Sequence, residues 1–423
     1  MTPRKIRKTR PATALSRAVL TGSVLLAGSG LLAGSGLLTG CLHDSGGQPA
    51  AAPKSSPAPH GYVEGAEETA EPQPRLVLAD AGTGAVGVLD LITGDITRLK
   101  RTDGVRGLLA DGRFAHLRTD RATHTLDTGS WTVDHGDHVH YYRAAIREVG
   151  PIVAAGAAHV HSDQAVTAVS PARGAGELFD REGLEGGTVP RGKALPGTDG
   201  AAIVPYEQHL LVAPAGAGRD TVEVRDRDGA RVATLDEPCA EARGAAVTRR
   251  GVVFGCADGA LLVSEDKGTF GAEKIAYGEE VSAADRAADF RHRAGSTTLA
   301  ARSGDDAVWV LDVTDRAWTR IRTGPVVAAN TAGEGAPLLT LGGDGALTAY
   351  DIATGKRTVR KELLTKSAAP GATSAVIEID TTRAYVNDAA AEKVYEIDYN
   401  DGLRLARTFP LGFAPTYMVE TGR

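Results

Sequence analysis

Histidine is the residue type whose placement in this chain points to chemistry. Five of the 11 histidines fall between His135 and His161. Three lie in the run Asp134-His135-Gly136-Asp137-His138-Val139-His140-Tyr141-Tyr142, and two more in His159-Val160-His161. Neutral imidazole is the commonest side-chain metal ligand, so a concentration of this kind points to a bound cation. On a strand, residues i and i+2 project from one face with Cα atoms about 6.5–7 Å apart. His138 therefore stands beside His140, and His159 beside His161. Two such pairs on adjacent blades of a repeat-built fold supply four nitrogens, or three plus a carboxylate, and zinc takes either set in a tetrahedron. Asp137, Asp134 and Asp163 are available as ligand or as the acceptor that fixes an imidazole tautomer. His135 joins if Gly136 lets the backbone bend. The candidate metal set is thus His135, Asp137, His138, His140, His159 and His161. Nitrogen and oxygen donors without thiolate suit Zn(II), with copper(II) and nickel(II) as competitors. Solvated strand histidines would account for one pair, but less readily for three histidines in six residues with a second pair nearby.

A zinc hydrolase is the catalytic alternative. The order His-x-x-His-x-His with Asp137 inside it is similar to the metallo-β-lactamase motif with its order changed, but that fold needs helical layers and this chain shows no helical periodicity. Neither a Gly-x-Ser-x-Gly elbow nor a Gly-rich phosphate loop stands between a strand and a helix. A hydrolytic zinc also needs an open position and a base. Glu148 and Asp163 are no better placed in sequence for that task than many other carboxylates. The expectation is a binding protein, not an enzyme.

The elements around the histidines begin with an address. Arg4, Lys5, Arg7, Lys8, Arg10 and Arg17 precede an apolar, small-residue stretch that ends Leu38-Thr39-Gly40-Cys41. That is a secretory signal, and its end resembles the bacterial lipobox, in which Cys41 becomes the lipidated first residue. Residues 1–40 are read as signal, and residues 41–74 as lipidated Cys41 and a disordered Pro/Gly/Ser/Glu-rich tether. Residues 75–423 form the folded body. The expected location is the outer face of the cytoplasmic membrane, reached by the lipid anchor alone, with a monomer as the expected state. Six of the 47 basic residues are lost with the signal, leaving 41 against 53 acidic ones, a formal −12. Such a surface repels phosphate backbones and attracts cations, so nucleic acid is excluded as a partner. Cys239 and Cys256 remain. An even pair in an exported chain, spaced for neighbouring strands and lacking a Cys-x-x-Cys motif, is read as a disulfide.

From Leu76 onward short strands alternate with polar turns at a period of roughly forty residues, as in propeller blades. Residues 76–99, 299–322, 338–360 and 384–409 each give a strand, a Gly/Asp turn, a second strand ending in Asp, a turn and a third strand. Asp90, Asp312, Asp351 and Asp398 are placed to accept backbone N–H bonds in the second turn. Less regular units fit at about 106–143, 150–180, 200–235 and 244–277. The fold expected is all-β, a β-propeller of seven or eight blades with eight preferred. Residues 76–99 supply three strands where a blade takes four, and Pro415–Glu420 reads as the missing innermost strand that closes the ring.

The run at 134–142, with Gly-Val-Val-Phe-Gly-Cys-Ala-Asp-Gly-Ala-Leu-Leu-Val at 251–263, resembles the AztD-type zinc metallochaperones. The resemblance covers about residues 75–423. It implies an exported β-propeller that hands Zn(II) to the solute-binding protein of a zinc ABC importer, without catalysis. Residue by residue it supports His135, Asp137, His138 and His140, and more loosely His159 and His161. Asp199-Gly200 and Arg243-Gly244 stand where the family has His-Gly steps, which implies fewer ions here. The lipobox and tether depart from a freely diffusing carrier and imply delivery at the membrane face. The competing expectation is an anchored propeller that binds a protein or cell-wall ligand, with incidental histidines.

Overall fold

The computed structural model describes residues 63–135, 138–152, 157–214, 218, 220–364 and 375–423. Cys41, residues 1–40, the tether up to residue 62, Gly136 and the expected ligand Asp137 lie outside the described residues. Within them the chain is all-β, and one short helix, α1 (Arg181–Glu185), interrupts the strands.

β1 (Glu67–Thr69) comes first, followed by β2 (Arg75–Ala79), β3 (Val86–Asp90) and β4 (Ile96–Arg98). β2, β3 and β4 form an antiparallel meander, and its fourth strand comes from the other end of the chain. Tyr417–Thr421 pairs with β2 in the register Leu76↔Glu420 and Leu78↔Met418. The expected union of the tail with residues 76–99 is therefore observed. Burying Leu76, Leu78 and Met418 completely or almost so favours this register, since a one-residue slip would turn these side chains to the other face.

The next sheet takes its strands out of sequence order. β5 (Val105–Ala110), β6 (Phe114–Thr119) and β7 (Thr123–Asp127) are followed by β8 (Ser130–Asp134) and β9 (Val139–Arg143), which leave the sheet as a hairpin. β10 (Arg147–Ile152) then returns to pair with β7 as the fourth strand. The unit expected at 106–143 is thus corrected. The histidine run is an insertion between third and fourth strands, because Trp131, Val133 and Tyr142 bury against one another and not in the sheet's core. Five further four-stranded sheets span residues 157–195, 202–238, 243–276, 326–362 and 377–410, and a three-stranded one spans 298–322. In the last case Arg291 bridges Ala300 where a fourth strand would lie.

The turn aspartates act as expected. Asp90 accepts from the N–H groups of Ile92 and Thr93, Asp312 from Thr314 and Asp315, Asp351 from Thr354 and Asp398 from Asn400. Cys239 and Cys256 are joined in a disulfide, with Cα atoms 5.0 Å apart. One expectation for the tether fails at its end. Glu67–Thr69, inside the segment read as disordered, forms β1 and pairs antiparallel with β9. Val63 and Ala66 pack against the Trp131–Val133–Tyr142 cluster, supplying the apolar seat that the polar composition concealed.

Candidate metal centre

The β8–β9 hairpin turns the alternation of its sequence into a histidine face. Trp131 is opposite Tyr142, and Val133 opposite His140. Side chains directly opposite share a face, and so do those two apart on one strand. His135 and His138 continue these rows to the tip, where the His135 N–H donates to the His138 carbonyl at 2.9 Å. The three imidazoles meet there. Ring centroids are 4.8 Å apart for His135–His138, 4.9 Å for His138–His140 and 5.3 Å for His135–His140. One nitrogen from each lies within 4.8 Å of the others. A tetrahedral zinc wants such nitrogens about 3.3 Å apart, a closure within reach of small side-chain rotations. His135 and His138 are exposed and His140 half-buried, so the face opens to solvent.

A fourth group arrives from β1. Glu68 is opposite Tyr142, which makes His140 its diagonal neighbour on the same face. Glu68 Oε1 lies 2.7 Å from His140 Nδ1. Sequence reading missed this residue. Glu64, Glu67, Glu68 and Glu71 all lie in the Glu-rich tether, and nothing in their spacing distinguishes Glu68 or announces a strand.

The hairpin's root is closely packed where its tip is open. Tyr142 stacks on Trp131 at 5.3 Å, and the Arg113 guanidinium lies 3.8 Å from the Trp131 ring centroid. Arg113 in turn forms a buried bidentate pair with Asp127 on β7, at 3.0 and 2.8 Å. A cavity of about 430 Å³ opens beside this root, lined among others by Asp111, Arg113, Trp131, Ser162, Arg181 and Arg423. Burial pushes the Asp111 carboxyl up, but Arg181 and His116 beside it outweigh that and hold it well below the usual range.

The second histidine pair is elsewhere. His159 and His161 lie on β11 (Ala157–Ser162), rings 6.3 Å apart and nearly parallel, and neither belongs to the three-histidine group. The expectation of two His-x-His pairs facing one another across neighbouring blades is not met, because the first pair is carried away on the inserted hairpin. His161 is kept neutral: burial first, then His159, push it down to about 4. Its Nε2 is closed off from solvent without a hydrogen-bond partner among the described residues. His159 is also lowered, by burial, with Asp289 opposing. Asp163 caps its own turn through the Ala165 and Val166 N–H groups and pairs with Arg227. Glu148 accepts from the Lys100 N–H. His116 is buried beside Thr125, His209 bonds the Glu207 carbonyl in a turn, and His292 bonds the Val247 carbonyl.

No protein-family model matches the sequence, and no curated protein matches it. Solved structures do. A crystal structure of Citrobacter koseri AztD aligns with a TM-score of 0.69 at 17% identity, covering 83% of this chain and 98% of that one. The apo form of the same protein gives 0.71 at 16% identity over the same shares. The fold is that of AztD. Beside AztD, the dihydro-heme d1 dehydrogenase NirN aligns with a TM-score of 0.54 at 14% identity, covering 84% of this chain and 76% of that one. A scaffold shared by AztD and a dehydrogenase does not select a function by itself; the site must.

Proposed function

We propose that this protein is an extracytoplasmic zinc carrier. It is anchored to the outer face of the cytoplasmic membrane through Cys41 and delivers Zn(II) to the solute-binding protein of a zinc ABC importer. The scaffold in this reading is an eight-bladed propeller closed by Tyr417–Thr421. The observation that carries the proposal is the three-histidine face at the tip of an exposed hairpin. Three imidazoles suffice to hold zinc, and solvent exposure of the same groups lets another protein's ligands attack the ion stepwise. A catalytic zinc asks for a walled site with a positioned base, whereas carriage asks for access. The likeness to AztD and the acidic balance of the chain support the same reading.

The test is zinc titration of the metal-stripped full chain in detergent, beside His138→Ala/His140→Ala. The wild type is expected to take up one zinc ion at the hairpin, and the double variant to lose at least 100-fold in affinity for it. Zinc loaded on the wild type should then pass to the purified solute-binding protein faster than it dissociates into a chelator. A wild type without tight zinc, or a double variant that binds like wild type, removes the proposal.

A further inference from the structure

β1 contributes little to the fold and one group to the histidine face. It is three residues long, its glutamates are exposed, and it pairs with β9 over three positions. Thr69 Oγ1 adds a bond to the Glu71 carbonyl at 2.9 Å and a long one to the Tyr141 carbonyl at 3.4 Å. Val63 and Ala66 pack against the hairpin's aromatic cluster. Glu68, in the middle, meets His140 Nδ1 at 2.7 Å.

That contact decides which nitrogen of His140 is free. Neutral imidazole carries one proton, and a carboxylate at hydrogen-bond distance from Nδ1 keeps it there, leaving the Nε2 lone pair for a cation. A cation on Nε2 withdraws density from the ring and makes Nδ1–H a stronger donor, so the bond to Glu68 tightens. The two events therefore favour each other. Linkage makes the effect reciprocal: the factor by which the ion stabilises the docked strand is the factor by which the docked strand raises affinity for the ion.

We propose that β1 is a clasp on the three-histidine site: Glu68 orients His140 toward the metal while β1 is paired with β9, and metal affinity falls when the strand is drawn off. This rests on the carrier reading above and gives it a release step. Glu68 is a positioning residue here and not a ligand. Three strand positions and a small apolar seat are an inexpensive contact to break, and no sheet of the scaffold depends on it. An extended segment of the recipient that takes the place of β1 along β9 would lower the zinc affinity at the moment of contact.

The experiment follows hydrogen exchange at residues 63–71 in the full chain with and without zinc, and measures zinc affinity by chelator competition. Zinc is expected to slow exchange across β1 in the wild type. Glu68→Ala should bind zinc about 10–100-fold more weakly and lose the zinc-dependent protection. Glu68→Gln, which keeps an acceptor for Nδ1–H without the charge, should fall between. Val63→Asn/Ala66→Asn, which loosens the strand and leaves the carboxylate in place, should also weaken zinc. Exchange at β1 indifferent to zinc, or Glu68→Ala binding as tightly as wild type, overturns the clasp. If the wild type takes up no zinc, the carrier reading falls and the clasp with it. If zinc depends on His138 and His140 but not on Glu68, the clasp alone falls.

Discussion

At the scale of single residues, Glu420 is a carboxyl held in its protonated form. It is buried on the C-terminal strand, with Oε2 accepting from Arg423 Nη1 at 3.0 Å and Oε1 without a partner among the described residues. Burial pushes it up to about 8; Arg423 opposes, while Glu378 and Asp380 add to the rise. A carboxyl raised on folding stabilises the fold fully below its unfolded value, and that contribution is lost as pH climbs through the folded one. Above about pH 6.5, where buried His161 and His292 are neutral folded or unfolded, the melting temperature of the wild type should therefore fall as pH rises toward 9, and Glu420→Gln should flatten that fall. Glu378, raised by the same burial, leaves a residual slope. Scanning calorimetry across the range decides it, and parallel curves for the two proteins would contradict the assignment. The histidines at 135–140 were legible in sequence because their type restricts what they do and their spacing matches a strand face. Glu68 was not legible, since one glutamate among four carries no sign that a diagonal contact across two strands will single it out. His159 and His161 were legible as a pair, but their separation from the first cluster depends on where the chain leaves its sheet.

At the scale of elements, the inserted hairpin depends on its neck. Gly129 sits at φ +65°, and a Cβ there would lie 2.4 Å from the Ala144 carbonyl oxygen and 2.7 Å from that of Ala145. The Ala144 N–H donates to the Gly129 carbonyl across the same point at 2.7 Å. Gly129→Ala must push the two strands apart and adopt a left-handed backbone, at a cost of about 1–3 kcal/mol. The sheets are expected to persist, with unchanged far-ultraviolet dichroism, while zinc affinity drops at least fivefold as His135, His138 and His140 lose their fixed relation. Unchanged zinc binding in a folded variant would show that the neck does not position the face. Sequence pattern could not reveal this insertion. Trp131-Thr132-Val133 alternates like any half-buried strand, and only pairing partners distinguish a hairpin that packs on itself from one that fills a sheet. The repeat units with Asp turns were readable because Asp90, Asp312, Asp351 and Asp398 mark the same reversal each time.

At the scale of the whole molecule, the first sheet is completed by the last strand. The Ala81 N–H donates to Thr416 Oγ1 at 2.7 Å across 335 residues of chain. Removing residues 417–423 would uncover one side of Leu76, Val77 and Leu78, all fully buried in the intact protein. The truncated protein should melt at a lower temperature and over a broader range than the intact one; an unchanged thermal transition would argue that β2 is supported without its partner. The period of forty residues foretold this arithmetic of strands, because three where four belong leaves a place to fill. The same feature has a consequence in time. At roughly 5–20 residues per second of synthesis, β2 waits about 20–70 s for the strand that covers it. Throughout that interval Leu76 and Leu78 sit on an open edge, the kind of surface that recruits neighbouring chains. Chains that lack their last strand are therefore prone to associate through β2, and a holdase that covers residues 75–79 until that strand arrives would raise the yield of folded protein.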